Sequence, residues 1–184
     1  MPSVDRRVVT VLFADLADFT GMTERLDAED VARVQEAYFA LAEAAVTAEA
    51  GLVEKFIGDA VMATFGTTRA ADDDALRAVR AGRRLVAAVA DLDRRLGMAG
   101  ALRVRVGVDT GVVVVTRRAG GWRVTGDTVN TAARLQAAAE PGQVLVGPQT
   151  ALAVEDDVDL VPAGDRALKG KAAPVPTWVV APGP

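Results

Sequence analysis

Neither cysteine nor histidine occurs anywhere in the sequence. The first absence removes disulfides, thiolate nucleophiles and cysteine zinc sites; the second removes imidazole bases and most transition-metal sites. Any chemistry here must use Asp, Glu, Lys, Arg, Ser, Thr or Asn, or hard cations held through oxygen. Long apolar runs are missing too. No stretch approaches the roughly 18 residues of a membrane span, and the first residues lack the apolar core of a signal peptide. The expectation is a cytoplasmic domain that makes no membrane contact of its own. Lysine is scarce: of 21 basic residues only Lys55, Lys169 and Lys171 are not arginine. Where arginine dominates so strongly, a lysine is a candidate for a task that needs a compact ammonium and not a planar fork. The net charge of -4 offers no basic surface for a nucleic-acid backbone. A small anionic substrate that brings its own counter-cations is compatible with it.

What is present suits one core: 184 residues, 51% of them hydrophobic, read as a single domain over 1–184, with 181–184 a linker or chain end. The run from Arg7 to Asp15 is β-branched and apolar, as in a strand buried on both faces, and it ends on a carboxylate. After a loop over 16–21, Asp27 is placed to cap a helix to about Ala50, with Val31, Val34, Tyr38, Leu41, Ala42 and Ala45 as its apolar stripe. Strands over 52–57 and 60–65 flank Gly58-Asp59, a tight hairpin with Asp59 at its tip. A helix over 72–96 and a strand over 102–110 complete the order β-α-β-β-α-β. The fold class is therefore α+β, a ferredoxin-like βαββαβ core, antiparallel and covered by two helices. A C-terminal α/β extension follows: strands over 112–116 and 122–125, a helix over 127–139, a strand over 143–146, a small helix over 149–154, and strands over 158–161 and 177–180.

The residues that carry chemistry are Asp15 at a strand end, Asp59 four residues after Lys55, and Asp127, Asn130 and Arg134 along one helix face. Each is commonplace alone. Two aspartates can hold two Mg2+ or Mn2+ ions ~3.5 to 4 Å apart, bridged by substrate phosphates, so no histidine base is required.

At these positions the sequence resembles class III adenylyl and guanylyl cyclases. The likeness runs from VTVLFADLADFTGMTE through VEKFIGDAVMATFG and RVRVGVDTG to TGDTVNTAARLQAAAEPGQVLVG and LKGKAAPVPTW. It is similar above all to bacterial soluble cyclase domains, which are often fused to regulatory or effector modules. The resemblance implies conversion of ATP to 3′,5′-cyclic AMP and pyrophosphate, with Asp15 and Asp59 as ligands of two divalent metal ions. It implies that Lys55 contacts adenine, Asn130 orients the ribose, and Arg134 steadies charge developing on the α-phosphate. Lys169, and less directly Lys171, matches the lysine that reaches the triphosphate, while Phe19 and Thr20 lie in the loop that meets the phosphates. In the family the metal pair and the Lys/Asn/Arg set come from opposite subunits, which implies a homodimer with composite sites.

One position departs from the pattern. Seven residues before the helix asparagine, adenylyl cyclases commonly carry Asp or Thr to accept a hydrogen bond from the adenine 6-amino group; here the residue is Arg123. Arginine only donates. Thr125, two residues on and on the same strand face, is the expected surrogate acceptor. Lys55 still favours adenine, since guanylyl cyclases usually place Glu there. Two other readings stand beside this one. A catalytically weak cyclase-like module could bind nucleotide or dimerise to regulate a fused effector. A diguanylate cyclase shares the βαββαβ core, but its Gly-Gly-Asp/Glu-Glu-Phe hairpin is replaced here by FIGDAV.

Overall fold

The structure is a computed structural model that describes residues 4–183. Its first strand, β1 (Val4–Leu16), is the centre of the molecule, flanked by β3 (Ala60–Phe65) and β4 (Val104–Arg118), both antiparallel to it. With β2 (Leu52–Ile57), β5 (Gly121–Thr125), β6 (Val144–Val146), β7 (Leu160–Arg166) and β8 (Val175–Val180), these form one eight-stranded sheet in the order β2-β3-β1-β4-β6-β8-β7, with β5 pairing β4. The β2-β3-β1-β4 part is the ferredoxin-like arrangement expected from the sequence. Strand β6 lies parallel to β4 and extends the sheet toward β7 and β8.

Side-chain alternation along β1 sorts the two faces. Leu12, Ala14 and Leu16 enter the larger core beneath α2 (Ala28–Ala48) and α3 (Asp74–Leu96), whereas Val9, Val11 and Phe13 enter a second core with Ala132 of α4 (Asp127–Ala138) and Val124 of β5. The strand is apolar on both faces because both are covered. The sequence expectation of helices on one face therefore holds for the split core alone, and α4 covers the reverse side. Helix α4 sits directly on β4: a Cβ at Gly107 would lie 2.7 Å from Cα of Gln136, so no other residue fits there without moving the helix.

Three local features differ from the sequence reading. Residues Phe19–Arg25 form a short helix, α1, where a loop was expected through Gly21; its buried Met22 joins the larger core and gives the turn an anchor. Asp27 stands at the N-cap of α2 but makes no side-chain cap bond. The two strands expected either side of Gly111 are one, since Val4 to Leu16 pairs with β4 without interruption through that glycine. The last helix, α5 (Pro148–Val154), starts at proline, which lacks the N–H that a first turn leaves unused.

Candidate active site

Asp15 and Asp59 meet because pairing puts them together. Asp15 pairs with Ala60, the residue after Asp59, so the tip of the β2–β3 hairpin folds back beside the C-terminal end of β1. Gly58 at that tip has φ 62°, the left-handed conformation that a two-residue hairpin requires. The carboxyl of Asp15 is pushed up to about 7, first by burial and then by the hydrogen-bonding contact and charge of Asp59; Arg105 and the Leu16 backbone pull it back. Arg105 approaches Asp15 at 3.6 Å from β4, and the Oδ1 of Asp15 is buried without a hydrogen-bond partner among the described residues. Two carboxylates in repulsive contact, one with an unsatisfied buried oxygen, form a hard donor pair that a divalent cation would relieve. No group of three or more Asp, Glu, His or Cys gathers among the described residues, so other ligand positions would fall to substrate oxygens or water.

Of the other predicted site residues, Lys55 is exposed on β2 opposite Met62, on the sheet face that also carries α4. Phe19 and Thr20 begin α1, three and four residues beyond the end of the Asp15 strand; Phe19 packs on the larger core and Thr20 is exposed, its carbonyl accepting from the Thr23 hydroxyl at 2.6 Å. Arg123 and Thr125 alternate with buried Val124, share one face of β5 and are both exposed. Asn130 is exposed on α4, and Arg134 packs its guanidinium against the backbone of Gly170. Lys171 is committed to an ion pair with Asp127, which leaves Lys169 as the exposed lysine of that loop.

Within the chain, Asn130 is not near the carboxylate pair. Thr128, in the turn before Asn130, lies over Gly111, while Asp15 pairs with Arg105 on the same strand. The stretch of β4 from Arg105 to Gly111 is roughly 20 Å long at about 3.4 Å per residue, beyond the reach of an asparagine side chain.

Two groups near the carboxylates escaped the sequence reading. Arg105 hides in the alternation RVRVG, where a charge between valines on a central strand is the available signal. Tyr38 lies on the apolar stripe of α2, but its hydroxyl is buried and unpartnered among the described residues, and the charges of Asp15 and Asp59 add to burial in pushing its pKa upward.

A further buried carboxyl, Asp109 on β4, is pushed up to about 7 by burial and, more weakly, by Asp127, while Lys171 and the Thr110 backbone lower it. Its ordinary value is 3.8, so between there and about 7 the folded chain keeps a proton that the unfolded chain has lost. Its contribution to stability therefore falls as pH rises through that window and levels off above it. Asp109→Asn should melt close to wild type at about pH 3.5, below that window, and higher than wild type at about pH 8. Thermal melts with parallel pH dependence in the two proteins would refute this.

The family follows from comparison of the whole chain. Residues 1–181 match the model described as adenylate and guanylate cyclase catalytic domain. The chain belongs to that family. It is 30% identical over 182 residues to a putative adenylate cyclase of Rhizobium meliloti, covering 98% of this chain and 29% of the relative's length. Among solved structures, the adenylyl cyclase CyaB from P. aeruginosa superposes with TM-score 0.93 at 28% identity, over 99% of this chain and 97% of that one. The guanylyl cyclase Cya2 superposes with TM-score 0.87 at 32% identity, over 96% and 93%. The fold is thus the cyclase catalytic fold, and both adenylyl and guanylyl cyclases stand among the similar proteins. No helix is long and apolar enough to cross a membrane among the described residues.

Proposed function

We propose that the domain is an adenylyl cyclase, converting ATP to 3′,5′-cyclic AMP and pyrophosphate as a head-to-tail homodimer with two composite sites. The observation that carries this reading is the Asp15–Asp59 pair, brought together by the pairing of β1 with β3. Bound at that pair, two Mg2+ or Mn2+ ions would make the ribose 3′-hydroxyl more acidic and neutralise the leaving pyrophosphate.

The chain's own residues do the rest. Asp15 and Asp59 hold the cation site at the end of two paired strands, a rigid mount. Arg105, already beside Asp15, adds positive charge where the triphosphate must lie. The first turn of α1, with Phe19 and Thr20, offers backbone amides and a hydroxyl to the phosphates. From the partner subunit, Asn130 fixes the ribose so that the 3′-oxygen faces the α-phosphorus opposite the bridging oxygen to the β-phosphate. Attack forms the bond from the 3′-oxygen to the α-phosphorus and breaks the bond to pyrophosphate, and the hydroxyl proton leaves to water or to the departing pyrophosphate. Arg134 meets the extra negative charge that exists only in the pentavalent transition state, so its loss should lower kcat more than it raises KM. Lys169 reaches the triphosphate from its loop. The long separation of Asn130 from Asp15 within one chain supports the two-chain arrangement.

Base choice rests on Lys55, from the same chain as Asn130, whose ammonium suits the adenine N1 acceptor and opposes the guanine N1-H, while Arg123 cannot supply an acceptor for the 6-amino group. A guanylyl reading draws on Arg123, which can donate to the guanine 6-oxygen, and on the likeness to Cya2. Incubation with ATP or GTP and Mn2+, with products resolved by chromatography, decides between them. The expected result is cyclic AMP, with kcat/KM favouring ATP by about ten- to thirty-fold. A preference for GTP would overturn the adenylyl reading, and no product from either would favour a nucleotide-binding or dimerisation module. Since the chain spans 29% of the Rhizobium relative, attached regulatory or effector modules belong to the same proposal.

A further inference from the structure

Strand β2 is not regular where it passes the base-reading lysine. Val53 pairs with Ala63 and Lys55 with Met62, so β2 spends two residues where β3 spends one, and Glu54 is the extra residue of a β-bulge. A bulge re-aims side chains. In an unbroken strand Val53 and Lys55 would share a face, whereas here Val53 pairs with Ala63 of the larger core and Lys55 with Met62 of the α4 side, leaving Glu54 unpaired between them at the point where the strand changes face. The carboxyl of Glu54 accordingly reaches β5: the Val124 backbone N–H and the charges of Lys55 and Arg123 act on it, against the upward push of its partial burial. Its Oε2 is buried and has no hydrogen-bond partner among the described residues. A buried carboxylate oxygen left unpaired beside two cations is costly unless a donor arrives.

Accepting the nucleotide-cyclase reading above, we propose that Glu54, and not Thr125, supplies the acceptor that Arg123 cannot, taking a hydrogen bond from the adenine 6-amino group while Lys55 donates to N1. The same carboxylate counters the charge of Arg123 and keeps that guanidinium from selecting the guanine 6-oxygen. Guanine would set its 6-oxygen against the Glu54 oxygen, acceptor against acceptor. Thr125, by contrast, is exposed on β5, where water can satisfy its hydroxyl.

The test removes the amino group from the substrate and the carboxylate from the protein. Purine riboside triphosphate keeps N1 but lacks the 6-amino group, and wild-type kcat/KM should be about ten-fold or more lower with it than with ATP. In Glu54→Leu that penalty should shrink to about two-fold or less, while in Thr125→Val it should persist. Glu54→Gln, which keeps the shape and offers an amide donor, should lower the ATP-over-GTP ratio and serves if the leucine variant folds poorly. A penalty that survives in Glu54→Leu, or that disappears in Thr125→Val instead, overturns the assignment to Glu54. A wild-type protein that makes no cyclic nucleotide from ATP or GTP refutes the cyclase reading instead. In that event the Kd values of the two nucleotides for the same variants give the same comparison.

Discussion

Replacing Asp15 or Asp59 with Ala should lower cyclisation by at least about 100-fold at saturating metal, the scale of losing a transition-state electrostatic contact. The expectation follows from the repulsion between the two groups. The Asp15 carboxyl is raised first by burial and then by Asp59, and its Oδ1 has no hydrogen-bond partner among the described residues, so an ionised pair is unfavourable without a cation. A divalent cation converts that cost into affinity. Removing either Asp removes both the ligand and the repulsion, so Asp59→Ala should lower the Asp15 carboxyl by the part Asp59 contributes, with burial still holding it up, and leave a protein at least as stable as wild type without metal. Loss of activity with retained or raised thermal stability, and a smaller rise in Tm on adding Mn2+, is the signature of a lost cation site. Near wild-type turnover in either variant would sink the assignment of Asp15 and Asp59 to metal binding.

Much of this site was legible in the sequence because it is made of local signals. The β-branched run ending in Asp15 and the Gly58-Asp59 turn each name a strand end or a hairpin tip, and the register of β1 against β3 brings them together as the core order demands. The parts that were not legible depend on packing or register. Helix α1 is anchored by Met22 entering the core, a long-range contact without local periodicity. Continuity of β4 through Gly111 depends on its pairing with β1, whereas a glycine between two short runs reads locally as a break. The re-aiming of Glu54 comes from a one-residue slip between β2 and β3, and no alternation pattern announces a bulge. Arg105 and Tyr38 were hidden for a related reason: each lies in a stretch whose periodicity is that of the core, and their polar ends matter only once Asp15 is placed beside them.

Mixing an Asp15→Ala chain with an Arg134→Ala chain should restore activity that neither has alone. In the proposed head-to-tail dimer each site would take its metal carboxylates from one chain and Asn130 and Arg134 from the other. The heterodimer then has one site with both defects and one with none. At equal mixing and free exchange half the dimers are heterodimers, each with one intact site of two, so about a quarter of wild-type activity is expected. The geometry within one chain gives the reason to expect rescue. Asn130 follows Thr128 on the part of α4 that covers Gly111, roughly 20 Å along β4 from the Arg105 that pairs with Asp15. A site formed within one chain would need α4 to slide along the sheet, which the contact of its backbone on Gly107 forbids. If heterodimers form, as shown by co-purification of differently tagged chains, and the mixture stays as inactive as its parents, the composite site is wrong. If the Arg134→Ala chain alone keeps wild-type kcat, the role of Arg134 in the transition state fails independently of the dimer.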